Sequence, residues 1–281
     1  MFLAGVSTRR VREVLRIVVG ETVSPQTVTR VVRSLEEEVR RFQRRRLSDC
    51  YCYLLLDGIA LKVKGATGVK RRLVLCAYGI RKDGRREMIS FRQAGSESEA
   101  QWEGFLRDMC ERGLEGRELE LVVTDGNPGL HRGLETVYPY VARQRCWVHK
   151  LRNVATKLPK RTQRECLQGA RRIYLAETKR EAVLWFREWA REWRSGQPKA
   201  VRCLEADLEE LLSFLSCPRG HWRKVRTTNA IERAFREVRR RTRPMSCFQN
   251  TASVDRIIYG VISHLNKSWE VQPLQQFTHL S

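Results

Sequence analysis

Three carboxylates are set off by the residues around them. Asp57 closes the apolar run Leu54-Leu55-Leu56 and is followed by Gly58. Asp125 closes Leu121-Val122-Val123-Thr124 and is followed by Gly126. Glu232 opens a basic segment in Thr227-Thr228-Asn229-Ala230-Ile231-Glu232-Arg233. A carboxylate released from a buried strand by a glycine is expected at a sheet edge. Two such edges and one helix carboxylate can hold a pair of hard divalent cations. Phosphodiester cleavage uses such a pair, roughly 3.5–4 Å apart, to activate the attacking water or 3′-hydroxyl and to stabilise the leaving oxygen. In that arrangement Asp57 bridges both ions, and Asp125 and Glu232 hold one each. The cation expected is Mg²⁺, with Mn²⁺ as a substitute, because Mg²⁺ takes few protein carboxylates and fills its octahedron with water and substrate oxygens.

Each residue has a plainer reading. Asp-Gly is a common turn dipeptide, so either aspartate alone reads as a turn. It is the pair, joined by Glu232 in a basic chain, that points to chemistry. Asn229 to Glu232 has the spacing of a capping box, in which Glu232 reaches back to its own helix start, and both readings stay open. The following Arg233, Arg236, Arg239, Arg240 and Arg241 suit phosphate contacts or a solvated helix face. Cys146 and His149 have the spacing of half a zinc site. No second pair stands at a convincing distance, Cys217 and His221 being remote, so zinc is not expected and a structural role beside the active site is. Trp185, Trp189 and Trp193 repeat along one helix face and read as core rather than as a base-stacking platform.

The 281 residues carry 54 Lys+Arg against 32 Asp+Glu, a formal net charge of +22. Such an excess predicts a polyanionic partner and affinity that falls steeply with salt. A membrane surface would satisfy the charge as well, but no stretch approaches the ~20 apolar residues of a span. No secretory leader pattern is present, and nine scattered cysteines read as reduced thiols, so a cytoplasmic, nucleoid-associated location is expected.

The elements that must position these residues change character along the chain. Residues 1–47 read as helical: Ser7 caps a helix over Thr8 to Val19, Gly20 ends it, and Ser24-Pro25 starts the next. The pair resembles a helix-turn-helix, with Gln26, Thr27, Thr29 and Arg30 near the start of the second helix where bases would be read. An ordinary amphipathic hairpin is the alternative. Strands are expected over Tyr51 to Val63, Arg72 to Ile80 and Arg86 to Phe91, with Asp83-Gly84 turning between the last two. Helices over Ser98 to Arg112 and Pro128 to Tyr138 alternate with strands over Glu118 to Thr124 and Val141 to Trp147. The result is an α/β fold, a mixed five-stranded sheet with flanking helices, in which a right-handed crossover sets Asp57 and Asp125 side by side. The expected division is a helical segment over 1–47, the first part of a catalytic domain over 48–158, an all-helical insertion over 159–222, and closing helices over 223–281.

Four motifs carry a resemblance: Leu-Leu-Leu-Asp57-Gly58, Val-Val-Thr-Asp125-Gly126, Gln144-Arg145-Cys146-Trp147-Val148-His149-Lys150, and Thr228-Asn229-x-x-Glu232-Arg233-x-x-Arg236-Glu237-x-Arg239-Arg240-Arg241-Thr242. Taken in this order they resemble the Mutator-type transposases of bacterial insertion sequences. The resemblance implies a ribonuclease-H-like catalytic domain interrupted by a helical insertion, Asp57, Asp125 and Glu232 as the metal-binding triad, and Cys146 with His149 as an auxiliary pair. It implies DNA cleavage at terminal inverted repeats and strand transfer into a target duplex, without a covalent protein–DNA intermediate, by a homo-oligomer assembled on DNA. It turns the capping-box ambiguity of Glu232 towards catalysis. Similar transposases usually have a longer region ahead of the helix-turn-helix-like segment, so the resemblance also implies that part of the end-recognition apparatus is missing here. The functions left to separate are an active transposase, a truncated DNA-binding remnant acting as a repressor, and a general metal-dependent nuclease.

Overall fold

Three long strands form one side of the sheet. β1 (Tyr51–Gly65), β2 (Gly68–Arg81) and β3 (Arg86–Ala94) run as an antiparallel meander in the computed structural model, which describes residues 25–65, 68–243 and 247–278. The expected turn at Asp83-Gly84 is present, with Gly84 at φ 79° and its N–H donating to the Arg81 carbonyl at 3.0 Å. The crossover helix α2 (Glu99–Glu111) then delivers β4 (Leu121–Thr124) parallel to β1, and α3 (Pro128–Val137) delivers β5 (Ala142–Arg145) parallel to β4. The strand order is β3-β2-β1-β4-β5, the mixed five-stranded sheet that the alternation of patterns predicts.

Side chains alternate between two cores, as the pleat requires. Leu54, Leu56, Leu75 and Val122 pack with Trp102, Phe105 and Leu130 of α2 and α3. Tyr53, Leu55, Ile59, Leu121 and Val123 face the opposite way, into a larger core built by the later helices. These helices are α4 (Trp147–Ala155), α5 (Lys160–Ile173), α6 (Lys179–Trp193), α7 (Pro198–Glu205), the single turns α8 (Leu208–Leu211) and α9 (Trp222–Val225), α10 (Asn229–Thr242) and α11 (Thr251–Glu270). Trp189 is buried in this core and donates its indole N–H to the Cys166 carbonyl at 2.9 Å, which accounts for the tryptophan stripe as packing. Leu204, Leu208, Leu211, Leu212 and Leu215, which recur at helical spacing in the sequence, are divided among α7, α8 and a 3₁₀ turn.

Two expectations are corrected here. β1 covers the strand expected over Tyr51 to Val63, and Gly58 does not release Asp57 from it as a breaker would. β2 pairs with it along its whole length, so it stays hydrogen-bonded through Gly65 while its parallel neighbour β4 stops at Thr124. The expected strand Val141 to Trp147 is also cut short. Cys146 is instead the N-cap residue of α4, and Trp147 begins that helix.

Of the helical segment at the start, α1 (Pro25–Arg44) is a single 20-residue helix; the expected helix over Thr8 to Val19, with Ser7, Gly20 and Ser24, lies outside the described residues. Gln26 and Arg30 are exposed in its first turns. Its far end joins the main body: Phe42 stacks on Phe91 and meets Tyr259 edge-on, and Glu36 pairs with the buried Arg256. Among the described residues, no helix is long and apolar enough to cross a membrane.

Candidate active site

Asp57 occupies an inward position. Tyr53, Leu55, Ile59 and Leu61 share its face of β1 and are buried, so period-two alternation carries the carboxylate into the same core, where it is 8% exposed. Its Oδ1 accepts the Gly58 N–H at 2.7 Å. The parallel register pairs Tyr53 with Leu121 and Leu55 with Val123; continued by one more pair on that face, it sets Asp57 beside Asp125. Asp125 leaves the end of β4, and its Oδ1 accepts the Asn127 N–H at 2.9 Å. Burial, and then the charge of Asp125, push the Asp57 carboxyl up to about 7, with Glu232 adding to the rise and Gly58 and His149 opposing it. Both of the other expected carboxylates therefore act electrostatically on Asp57.

Glu232 reaches this place through the start of α10. The N-cap residue is Thr228 rather than Asn229, so the capping box read from the sequence is not formed. Glu232 donates its backbone N–H to the Thr228 carbonyl at 3.0 Å, while its side chain meets His149, Nε2 to Oε1 at 3.6 Å. Arg152 lies 3.9 Å from the same oxygen.

Cys146 and His149 link the two halves of the site. The Cys146 N–H donates to the Thr124 carbonyl at 2.7 Å, next to Asp125, and the Trp147 N–H donates to the Arg226 carbonyl at 3.1 Å, just ahead of Thr228. Thr228 is fully buried and gives both its N–H and its O–H to the Cys146 sulfur, each at 3.3 Å. The hydroxyl oxygen is also 3.4 Å from His149 Nδ1 and 3.5 Å from Glu232 Oε1; with one proton to give, it serves these neighbours in turn. Burial opposes the Cys146 thiolate, but the hydrogen bonds from His149 and Thr228 outweigh it and hold the thiol below its ordinary range. The same contact with Cys146, against the cost of burial and with help from Asp57 and Glu232, raises the His149 imidazole to about 9. His149 is thus a cation among the carboxylates at neutral pH.

Several residues that bear on the site were not singled out from the sequence. Glu97, in the loop before α2, accepts the Asn127 Nδ2–H at 2.9 Å and overhangs Gly58; burial and the Asp125 charge raise its carboxyl. Its only sequence signal was a polar loop ahead of a helix. Gln144 is fully buried, donating to the Leu211 carbonyl at 3.0 Å and accepting the Phe214 N–H at 2.7 Å. Arg145 donates to the Gly126 carbonyl at 2.5 Å, and both Arg145 and Lys150 pair with Asp207. Gly126 has φ 90°, and a Cβ there would run into the Arg145 guanidinium, so no other residue fits without displacing it. The segment Gln144 to Lys150 therefore ties the helical block to the sheet edge that carries the aspartates. Among the described residues, no three Cys, His, Asp or Glu side chains converge into a preassembled metal cluster.

With this geometry in view, comparison with known proteins is decisive. Residues 1–272 match the family described as "Transposase, Mutator family". The chain belongs to that family. The transposase for insertion sequence element ISRM5 of Rhizobium meliloti is 35% identical over 269 residues, covering 96% of this chain and 67% of the relative. That for IS256 in transposon Tn4001 of Staphylococcus aureus is 34% identical over 276 residues, covering 96% and 69%. That for IST2 of Acidithiobacillus ferrooxidans is 33% identical over 263 residues, covering 92% and 88%. This Mutator-family transposase places the basic residues after Glu232 unevenly. Arg233, Arg236 and Arg239 are exposed, Arg240 is exposed but paired with Glu237 at 2.8 Å, and Arg241 folds back onto the same glutamate at 2.7 Å.

Proposed function

We propose that this transposase cleaves DNA at the terminal inverted repeats of a bacterial insertion sequence and joins the freed strands to a target duplex by two-metal-ion chemistry, on a ribonuclease-H-like fold. The observation that carries the reading is the electrostatic convergence of Asp57, Asp125 and Glu232, with one carboxyl already driven up to about 7 by burial and by its neighbours. A divalent cation would relieve that repulsion. The donors are carboxylate oxygens, the hard ligands Mg²⁺ or Mn²⁺ prefers, and so small a set of protein ligands would leave coordination positions for water and phosphate oxygens. Bound there, the metal would polarise the phosphate and lower the pKa of the attacking water or hydroxyl. The sheet order β3-β2-β1-β4-β5, with β2 antiparallel to β1, supports the fold reading.

The chain's own residues supply the rest. Asp57 offers oxygens from within β1 and Asp125 from just past the end of its parallel neighbour β4, and Glu232 offers one from α10. His149 balances part of their charge and fixes where Glu232 points. Arg233, Arg236 and Arg239 neutralise phosphates flanking the cut, and Gln26, Thr27, Thr29 and Arg30 at the start of α1 read bases as the second helix of a helix-turn-helix. The working form is a homo-oligomer on DNA, bridging two element ends. The direct test is strand transfer with labelled element ends in Mg²⁺ or Mn²⁺. Joined products that need metal are expected, and an absence of cleavage under both metals with intact end binding would favour the repressor reading instead.

A further inference from the structure

A cavity of about 830 Å³ opens beside α10. It lies beside the elements that carry the carboxylate site: Val148 and Thr227, the sequence neighbours of His149 and Thr228, both line it. Six cations surround it from separate parts of the chain: Arg86 at the start of β3, Arg223 and Lys224 on α9, Arg226 just after, and Arg233 and Arg236 on α10. The carboxylate among the lining residues, Glu237, is already taken by Arg240 and Arg241. Arg86 and Arg226 give hydrogen bonds to main-chain carbonyls, of Gln272 at 2.7 Å and Tyr174 at 3.0 Å. Among the described residues none of the six is ion-paired to a carboxylate, whereas cations such as Arg145, Lys150 and Arg256 are. Burial, then the charges of Arg233, Arg86 and Arg223, lower the Lys224 ammonium.

Like charges gathered around a concavity and left uncompensated repel one another, and that cost is recovered when a polyanion enters. The volume is on the scale of a drug-sized ligand site, about 300–1,000 Å³, which suits one or two nucleotides and excludes a stacked duplex. Two half-buried rings add a second component. Tyr174 lies under Arg226 at 4.7 Å and Trp269 under Arg86 at 5.5 Å, so each presents an aromatic surface beside a cation. Bases stack on such rings regardless of sequence.

We propose that this cavity receives an unpaired stretch of DNA strand, one or two nucleotides next to the phosphate being cut. Its phosphates lie on Arg223, Lys224, Arg233 and Arg236, and a base lies against Tyr174 or Trp269. The inference depends on the transposase reading for the identity of the strand, but not on the metal chemistry.

The test compares full-length protein with the Arg223→Gln/Lys224→Gln double variant and with Tyr174→Ala. A short fluorescein-labelled single strand and a blunt duplex of the same sequence are titrated by anisotropy over a range of salt. The double variant is expected to bind the single strand at least ~10-fold more weakly, with a log–log salt slope shallower by about 1.4, two contacts at about 0.7 each. Its duplex affinity should change less, and its thermal midpoint should stay level or rise because repulsion is relieved. Tyr174→Ala should weaken the single strand alone. Single-strand affinity and slope equal to wild type in the double variant overturn the proposal, and so does an equal loss for both probes, which would mean a general basic field. None of these measurements involves cleavage, so an Asp57→Asn variant that still cuts DNA would remove the metal reading and leave the cavity result standing.

Discussion

His149 and Glu232 face each other across 3.6 Å, with the Thr228 hydroxyl against both and Cys146 behind them. On the proposed reading, this contact would set the direction of the glutamate. His149→Ala should cut the cleavage rate by on the order of 10²-fold, the scale expected when a catalytic group is misplaced by about 1 Å. DNA affinity should be unaffected. A kinetic split in which KM rises and kcat stays put would assign His149 to substrate binding instead. Thr228→Ser, which keeps the hydroxyl, should retain most of the rate that Thr228→Val loses.

The carboxylates should separate chemistry from folding. Asp57→Asn, Asp125→Asn and Glu232→Gln are each expected to abolish cleavage and to leave DNA binding intact. Mg²⁺ should raise the thermal midpoint of wild type and do so less in each variant, because ligands that bind only the folded state stabilise it. Near-normal cleavage by any one variant removes that residue from the set.

Asp57 also sets a pH dependence of stability. Its carboxyl titrates near 7 in the folded chain, well above the ordinary carboxylate value. Between those two values the folded chain holds a proton that the unfolded chain has released, so stability is greater at low pH and falls as pH rises through 7. His149, raised to about 9, acts in the same sense above its ordinary value, while Cys146, lowered, acts in the opposite sense and partly offsets it. The window for Asp57 is therefore about pH 4 to 7; Glu97 and Asp255, whose carboxyls are also raised by burial, act in the same sense there, and His221, lowered by burial, acts against them. Denaturation in EDTA at pH 5 and pH 7 should show a loss in wild type that is smaller in Asp57→Asn; parallel curves would contradict the shift.

The link between sheet and helical block can be broken at one side chain. Gln144 is buried and satisfies two backbone groups of the block, at Leu211 and Phe214. Gln144→Ala leaves the Phe214 N–H unpaired, at about 1–3 kcal/mol, while the Leu211 carbonyl keeps the Trp147 indole N–H at 2.7 Å, and should lower the denaturation midpoint. Gln144→Glu would keep the acceptor for Phe214 and lose the donor to Leu211, so it should fall between. A midpoint within error of wild type for the alanine variant would show that the block docks by apolar contact alone.

The strands, the crossover helices and the sheet class were readable from the sequence because their signals are local: period-two alternation, Asp83-Gly84, Ser98 before a helix. Asp57, Asp125 and Glu232 could be named because each follows or opens a patterned element. The release of Asp57 by Gly58 is not found, since β2 holds β1 extended past it over the expected Tyr51 to Val63. The capping-box spacing at Glu232 is a local signal, whereas its neighbour His149 lies 83 positions away. Glu97 and Asp207 could not have been found, because their importance lies wholly in contacts with distant residues, Asn127 in one case and Arg145 with Lys150 in the other.

The distribution of the carboxylates along the chain has a consequence for synthesis. Asp57 and Asp125 come together within the sheet, but Glu232 arrives on α10, which packs against elements made after the helical block. Contacts this far apart in sequence form only after long loops have closed, and chains emerge from the ribosome N-terminal part first. A nascent copy therefore carries Asp57 and Asp125 well before Glu232 and the cations of α9 and α10 are made, so neither the proposed metal site nor the proposed strand cavity can assemble until the last helices arrive.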